Sequence, residues 1–387
     1  MAGMNDNTLL TPPVAAKKPS SITHHGITVS DDYAWLRDAD YPKVDDEEVL
    51  AYLAAENAWF EARMKPHQPS VDALFKEMRA RIKEADKSVP QKDGDFLYWI
   101  EFEAGAEYKK WWRRPVAAKD DGSADELILD EPALAEGKEY FRLGAISTSK
   151  DGKLLAYSVD DNGSERFTAR IKDLATGEHL PDEIPGTLSG LSWVAGDKGL
   201  VYSLANEQWR TDNARLHWLG QPIEQDVELF HEDDEGFRVS AALSAAEDWL
   251  IIGTGDHETS EAWLVPADAP LTPPRLVKAR QKGVEYDVDV RPTETGGVLF
   301  VHTNDSHENF RLAMAPLGKP DQWTTLVEGT DQFYLTGFEL FRDFYVTDGR
   351  LGGLDRIEVR YYDDPARLEP IEFPEASYTA HLGNNPE

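Results

Sequence analysis

The serine and histidine residues of this chain are not spaced as they are in hydrolase active sites. A serine nucleophile commonly stands at the centre of a G-x-S-x-G turn, but Ser189 lies in G-T-L-S-G, one position too late. A zinc peptidase needs two histidines around a glutamate in the pattern H-E-x-x-H, but His257-Glu258 is followed by Thr-Ser-Glu. The surroundings of Ser189 favour an ordinary turn. The sequence therefore predicts no catalytic residue in the chain.

Ligands for a metal ion or a cofactor are not predicted either. His24-His25 and the pair His302 and His307 do not have metal-ligand spacing. The acidic doublets fall in predicted loops and lack the D-x-D-x-D-G pattern of a calcium loop; they are Asp160-Asp161, Asp233-Asp234 and Asp363-Asp364. There is no glycine-rich phosphate loop, and the chain has no cysteine, which excludes disulfides and thiolate chemistry. We expect no metal and no cofactor.

The elements that would position any site are strands. In residues 147–178, Asp151-Gly152 indicates a tight turn, and the run Leu154–Val159 is apolar on both faces, as in a strand between two layers. Phe167, Ala169 and Ile171 then alternate with polar residues, which predicts a half-buried strand. The stretch thus reads as one unit of antiparallel sheet.

The same unit recurs along the chain. Apolar runs comparable to Leu154–Val159 begin at residues 96, 154, 200, 250, 299 and 344, which are 45 to 58 residues apart. Each run follows turn residues and precedes a second strand. A period of this length with several strands per repeat is typical of a β-propeller, and evenly spaced strands argue against βαβ units. The predicted fold is mainly β: a propeller with six complete repeats over residues 90–387 and an incomplete last blade.

One more repeat is expected to open near the end of the chain. Residues 371–373 and 377–382 resemble the first strands of the earlier repeats. By the observed spacing, the central strand of that repeat would begin beyond residue 387. The chain is therefore expected to end inside a repeat.

Residues 1–89 do not share the repeat and are predicted to form an arm with two amphipathic helices. The first helix begins near Asp45 or Asp46, with acidic residues suited to the helix dipole, and Pro66 ends it. The second begins after Pro69. Its apolar residues recur with a helical period and form one stripe: Val71, Leu74, Phe75, Met78 and Ile82.

A short aromatic cluster precedes the first helix. Tyr33, Trp35 and Leu36 stand with Arg37 among acidic residues in the stretch DDYAWLRD. Such a cluster needs a surface to pack against. Two interpretations stay open: the cluster packs on the body of this chain, or it binds a ligand or another domain through Tyr33, Trp35, Leu36 and Arg37.

The formal net charge of −32 limits the possible partners. An excess of this size repels nucleic acids and anionic membranes, so neither is expected as a partner. The charge is compatible with cationic ligands, although an acidic surface often serves only solubility. The N-terminus has no apolar leader region, and no stretch approaches the length of a membrane span. We expect a cytoplasmic protein.

The chain resembles oligopeptidase B, a group within the prolyl oligopeptidase family of serine peptidases. The resemblance runs in order along nearly the whole chain, and DDYAWLRD followed by the repeat is its most specific part. The matching stretches are Pro12–Ala15, Lys17–Pro19, His25-Gly26, Asp31–Asp38, Tyr52–Asn57, Glu77–Ile82, Leu129–Glu131, Leu134–Gly137, 147–178, Thr259–Trp263 and Leu382–Glu387.

This resemblance implies a seven-bladed propeller that covers an α/β-hydrolase domain, with the arm packed on that domain. Similar family members cleave short peptides after Arg or Lys with a Ser-Asp-His triad in the C-terminal domain, and the propeller restricts access. No triad residue maps onto this chain. The implied partners are short basic peptides, in the complete enzyme, and a hydrolase domain in cis or in trans.

Three functional hypotheses follow. The chain is the N-terminal part of an oligopeptidase B-like serine endopeptidase, inactive alone; or it is a free-standing, non-catalytic propeller that binds peptides or proteins. In the third, it is a propeller enzyme with its own site, such as a carboxylate pair contributed by distant loops. The lack of metal-ligand spacing disfavours a metal-dependent version of the third hypothesis.

Overall fold

The computed structural model describes residues 11–41, 43–188, 190–294, 296–364 and 366–383. Contacts within the chain divide it into two compact units, residues 1–83 and residues 84–387. The first unit is the arm, and the second contains the repeated sheets. Each unit is described by itself below.

The arm begins with a hairpin that the sequence analysis did not predict. Strands β1 (Ser20–His24) and β2 (Ile27–Asp31) pair antiparallel, and Ser20 lies opposite Asp31. The two residues of the turn, His25 and Gly26, both have positive φ angles of 51° and 76°. Two consecutive positive φ angles match the twist of a two-residue hairpin, and glycine at the second position makes that turn accessible.

The helical part of the arm corrects the prediction of two separate helices. Helix α1 (Glu47–Met64) continues through a 3-10 turn at Lys65–His67 into helix α2 (Gln68–Ala80), so 34 residues form one helical run. Pro66 does not end the run, because Lys65 before it keeps helical angles (φ −49°, ψ −44°). Pro69 lies in the first turn of α2, where a missing N–H is tolerated.

The described residues of the second unit form six antiparallel sheets in chain order, which confirms the six repeats. The first sheet contains β3 (Asp86–Lys87), β4 (Gln91–Asp93), β5 (Phe96–Phe102), β6 (Lys110–Pro115) and β7 (Glu126–Asp130). The second contains β8 (Arg142–Thr148), β9 (Leu154–Asp160), β10 (Phe167–Asp173) and β11 (His179–Thr187), after helix α3 (Glu131–Ala135). The third contains β12 (Ser192–Val194), β13 (Gly199–Tyr202), β14 (Asn213–Trp218) and β15 (Val227–His231).

The remaining three sheets repeat this order. The fourth contains β16 (Arg238–Leu243), β17 (Trp249–Gly255), β18 (Ser260–Pro266) and β19 (Arg275–Leu276). The fifth contains β20 (Tyr286–Arg291), β21 (Val298–Thr303), β22 (Arg311–Pro316) and β23 (Thr324–Val327). The sixth contains β24 (Phe333–Leu340), β25 (Phe344–Leu351), β26 (Leu354–Tyr361) and β27 (Leu368–Pro370).

Apolar side chains between neighbouring sheets form the core. Ala156 and Ile171 of the second sheet, for example, pack with Trp193 and Leu200 of the third. Similar clusters join each further pair of consecutive sheets. A strand with a sheet on each side must be apolar on both faces, which explains why Leu155 and its neighbours in β9 are buried on both faces.

The expected opening of a seventh repeat is not seen as strands. Residues 371–373 and 377–382 form no strand in the described part of the chain. The N–H of Ile371 donates to the carbonyl of Ile357, and the N–H of Ala380 donates to the carboxylate of Asp355. A first strand needs a second strand to pair with, and the described residues supply none, so this stretch lies along the sixth sheet instead.

The direction of the strands defines two ends of the propeller. The link end carries the connections between consecutive sheets and the loops between the second and third strands of each sheet. The turn end carries the tight turns between first and second strands. Strand β3 begins at the link end and β27 finishes there. The bond from Ala380 to Asp355, beside the turn at Gly352-Gly353, places the last described residues at the same end.

Candidate functional site

The predicted docking cluster is partly packed within the arm. Trp35 lies in a 3-10 turn, and its Nε1 donates to the carbonyl of Ala16 at 2.7 Å. Its ring meets the ring of Tyr52 edge to face, with 6.1 Å between centroids, and the ammonium of Lys18 lies 4.5 Å above it. Trp35 therefore contributes to the arm's own packing.

The other members of the cluster are more open. Tyr33 is 41% exposed, Leu36 is half-buried, and the guanidinium of exposed Arg37 lies 5.2 Å from the ring centre of Tyr41. A role of these residues in docking another domain stays a prediction.

Asp38 organises the loop that leads into α1. Its carboxylate accepts hydrogen bonds from the N–H groups of Asp40, Asp45 and Asp46, at 2.8 to 2.9 Å. These donors hold the pKa of Asp38 below its usual value. Asp46 is thereby placed to cap α1. Asp38, Asp40 and Asp45 lie close enough together to hold a cation, but the oxygens of Asp38 already serve three amides, which gives them a structural role.

The arm exposes a long apolar surface. Five residues of the predicted stripe, which we call the arm's apolar stripe, are 39% to 66% exposed: Val71, Leu74, Phe75, Met78 and Ile82. The unpredicted hairpin also exposes apolar side chains, namely Ile22, Ile27 and Val29. These residues alternate with polar ones on either side of His25-Gly26, and this alternation was the sequence signal that could have identified the hairpin. Contiguous apolar surface of this kind is typical of an interaction site.

Two buried histidines of the propeller have structural surroundings. His217 is fully buried, with Nε2 2.9 Å from Asp182 and Nδ1 2.8 Å from Asp226. His302 lies between Asp287, 2.9 Å from its Nδ1, and the carbonyl of Leu335, 3.1 Å from its Nε2. With both nitrogens occupied, neither ring is free to serve as the base of a nucleophile.

An ion pair at the turn end joins two sheets that are not neighbours. Lys150 of the second sheet lies 3.1 Å from Glu247 of the fourth. Asp197 of the third sheet accepts the N–H groups of Lys150 and Asp151. A cavity of about 350 Å³ lies beside these turns. Burial, with the charge of Glu247, raises the pKa of Asp93 on its wall.

A second cavity lies among strands of the fourth, fifth and sixth sheets. It measures about 490 Å³, and its wall includes Arg238, Ser240, Asp287, Asp289 and Phe338. Burial raises the pKa of Asp289 to about 6, assisted by the nearby charges of Asp248 and Asp287. Burial alone would lower the pKa of His302, but the hydrogen bond and charge of Asp287, the carbonyl of Leu335 and the charge of Asp348 together raise it. The sequence analysis did not identify this cavity, because its residues come from distant repeats.

None of the helices that the structure describes is both long and apolar enough to cross a membrane. Together, the fold and these sites define a β-propeller module of six sheets with a helical arm. Its described residues hold the arm's apolar stripe and the two cavities described above, each lined in part by charged residues.

The chain belongs to the family of the prolyl oligopeptidase N-terminal beta-propeller domain, whose model matches residues 12–383. It is 33% identical over 396 aligned residues to dipeptidyl aminopeptidase BI of Pseudoxanthomonas mexicana, covering 97% of this chain and 53% of that protein. Oligopeptidase B of Leishmania major superposes with a TM-score of 0.89 at 27% identity, covering 96% of this chain and 55% of the other.

Oligopeptidase B of Trypanosoma brucei, solved in a closed form with covalently bound antipain, gives a TM-score of 0.87 at 29% identity. That comparison covers 96% of this chain and 54% of the other. The chain thus spans about half the length of the relatives it matches. The resemblance to the prolyl oligopeptidase family and to oligopeptidase B is confirmed.

Proposed function

We propose that this chain is the propeller portion of an oligopeptidase B-like serine endopeptidase that cleaves short peptides after Arg or Lys, and that it is inactive alone. The observation that carries the proposal is the likeness to oligopeptidase B over 96% of the chain, at a sequence identity of 27% to 29%. The catalytic serine, aspartate and histidine would come from a hydrolase domain joined or bound to this chain.

The arm's apolar stripe supports this proposal. Its five side chains are exposed although they recur at helical spacing, as buried residues do. A hydrolase domain that covered them would remove this surface from water. Burial of a side chain such as Phe75 or Met78 is worth about 1.5–3 kcal/mol.

The proposed role of the propeller is to control access. The bridge from Lys150 to Glu247 narrows the turn end, so a folded protein would not pass there. The side chain of Asp287 is 67% exposed on the wall of the second cavity, and its negative charge would attract a cationic peptide. The net charge of −32 would favour basic peptides over acidic ones in the same way.

The test is reconstitution. The 387-residue chain is mixed with the C-terminal part of the Pseudoxanthomonas mexicana relative, beyond the region matched here, and cleavage of an Arg-containing dipeptide substrate is measured. Activity is expected only in the mixture and should be abolished by a serine-directed inhibitor. Inhibitor-sensitive cleavage by the 387-residue chain alone would contradict its proposed inactivity. A folded, monodisperse chain that forms no complex would favour the free-standing binding propeller.

The double variant Phe75→Ser, Met78→Ser tests the arm within the same assay. We expect the complex to weaken about 100-fold, because two apolar side chains are lost from the interface. Lys76→Ser, on the same helix, is the matched control and should bind like the unmodified chain. If the double variant binds as tightly as the unmodified chain, the arm's apolar stripe is not part of the interface.

A further inference from the structure

The loop between β13 and β14 carries an exposed tryptophan in an unusual backbone conformation. The N–H of Trp209 donates to the carbonyl of Asn206, and the N–H of Asn206 donates to the carbonyl of Arg210, so residues 207–209 form a three-residue loop. Trp209, the third of these, has a φ angle of 61°. This position of such loops is left-handed and is usually occupied by glycine, because a Cβ atom is strained there.

Neighbouring groups hold the loop in this shape. The side-chain oxygen of Asn206 accepts the N–H groups of Gln208 and Arg210, at 3.0 and 3.1 Å. Arg166 of the second sheet donates to the carbonyls of Ala205 and Asn206, at 3.2 and 3.3 Å. The guanidinium of Arg166 also lies 4.5 Å from the ring centre of Trp209. The ring is therefore held in place before any partner binds.

Phe310 provides an internal comparison. It lies in the corresponding loop of the fifth sheet and has nearly the same φ angle, 60°. Its ring stacks on His302 at 4.6 Å and packs against a core cluster, so the packing offsets the backbone strain. Trp209 is 46% exposed and belongs to none of the core clusters of the described residues. Trp209 thus lacks the core packing that accompanies the left-handed conformation at Phe310.

We propose that Trp209 is an aromatic anchor through which the link end binds the hydrolase domain. This inference rests on the proposed function and adds a specific contact to it. A rigid, half-exposed tryptophan is the kind of residue that dominates protein interfaces, because it buries a large area at little further cost in conformational entropy.

The course of the chain indicates which domain would cover the link end. Strand β3 begins at the link end, β27 finishes there, and the bond from Ala380 to Asp355 keeps the last described residues beside it. The relatives are almost twice as long as the region they share with this chain. A domain connected to both the arm and the region after β27 would cover the link end, where Trp209 is exposed.

The experiment measures the affinity of the 387-residue chain for the C-terminal part of the Pseudoxanthomonas mexicana relative by isothermal titration. Trp209→Gly is expected to weaken binding at least tenfold. Its thermal midpoint should be unchanged or higher, because glycine adopts a φ of 61° without strain. Trp209→Asn, which also tolerates this conformation, provides a second variant if glycine loosens the loop. Leu271→Ala, a 58% exposed side chain between β18 and β19 at the turn end, should bind normally.

The outcomes separate the two proposals. If the unmodified chain binds and both Trp209 variants bind equally well, the anchor is refuted while the proposed function stands. If the unmodified chain forms no complex, the proposed function fails and the anchor fails with it. If folded Trp209 variants bind at least tenfold more weakly than the unmodified chain, and the Leu271 variant binds normally, the anchor is supported.

Discussion

Replacing His217 with leucine is expected to destabilise the propeller by about 3–5 kcal/mol. His217 lies fully buried between Asp182 of the second sheet and Asp226 of the third, with hydrogen bonds of 2.9 and 2.8 Å. The side chains of the two aspartates are only 2% and 1% exposed. The ring thus bridges the two sheets, with one buried carboxylate within hydrogen-bond distance of each nitrogen.

Leucine would leave two buried carboxylates without the ring that lies between them. Asp182 would retain the N–H of Gly220, and Asp226 would retain the hydroxyl of Tyr202, but each would lose its partner on the ring. Removing the partner of a buried charged group typically costs about 3–5 kcal/mol. For a unit of about 300 residues, the usual unfolding entropy converts this loss to a decrease of about 5–8 °C in the thermal midpoint.

Urea unfolding followed by tryptophan fluorescence measures this loss at pH 7. His231→Leu is the matched control: this histidine is 46% exposed and lies 3.7 to 3.9 Å from two carboxylates. We expect it to change stability by less than about 0.5 kcal/mol. A His217→Leu variant within about 1 kcal/mol of the unmodified chain would refute the reasoning.

Two further predictions concern strands β20 and β25. Asp289→Asn should raise stability at pH 7 by about 2–3 kcal/mol. The pKa of Asp289 is about 6 in the folded chain against 3.8 for the free side chain, so the stability of the unmodified chain falls as pH rises from about 4 to about 6. The gain should vanish below about pH 4 in a urea titration series, and a gain independent of pH would contradict it. Gly349→Ala should cost about 1–3 kcal/mol, because its Cβ would meet the ring of Phe333 at 2.7 Å as well as the carbonyl of Tyr334. Gly318→Ala, which meets nothing within 4 Å, is its control in thermal melts, and equal melts for the two would oppose the prediction.

The repeat pattern was predictable because each repeat has the same packing requirement. The second strand of each sheet that has a neighbouring sheet on both sides is apolar on both faces, as in β9 and β21. The helical run was predicted less well. Pro66 is a strong signal for a helix end, but the chain passes it through a 3-10 turn, a local choice that proline spacing alone does not reveal.

The candidate sites also differ in how far the sequence alone could predict them. The arm's apolar stripe could be read from the sequence, because helical period is a local property. The inward packing of Trp35 depended on Ala16 and Tyr52, which lie 19 and 17 positions away and meet it only in the folded arm. Nothing in the sequence marks Asp182 as a partner of His217, because they belong to different sheets and are 35 residues apart.

The sequence by itself determined the class of fold, the number of repeats and the family, since these follow from period, turn residues and ordered motifs. Tertiary structure alone decided which carboxylate meets which histidine, which turns of non-neighbouring sheets meet, and which aromatic side chains remain exposed. The physical reason is the range of the interactions. Strand and helix patterns record contacts between near neighbours in the chain, whereas Lys150 and Glu247 are brought together only by the packing of successive sheets.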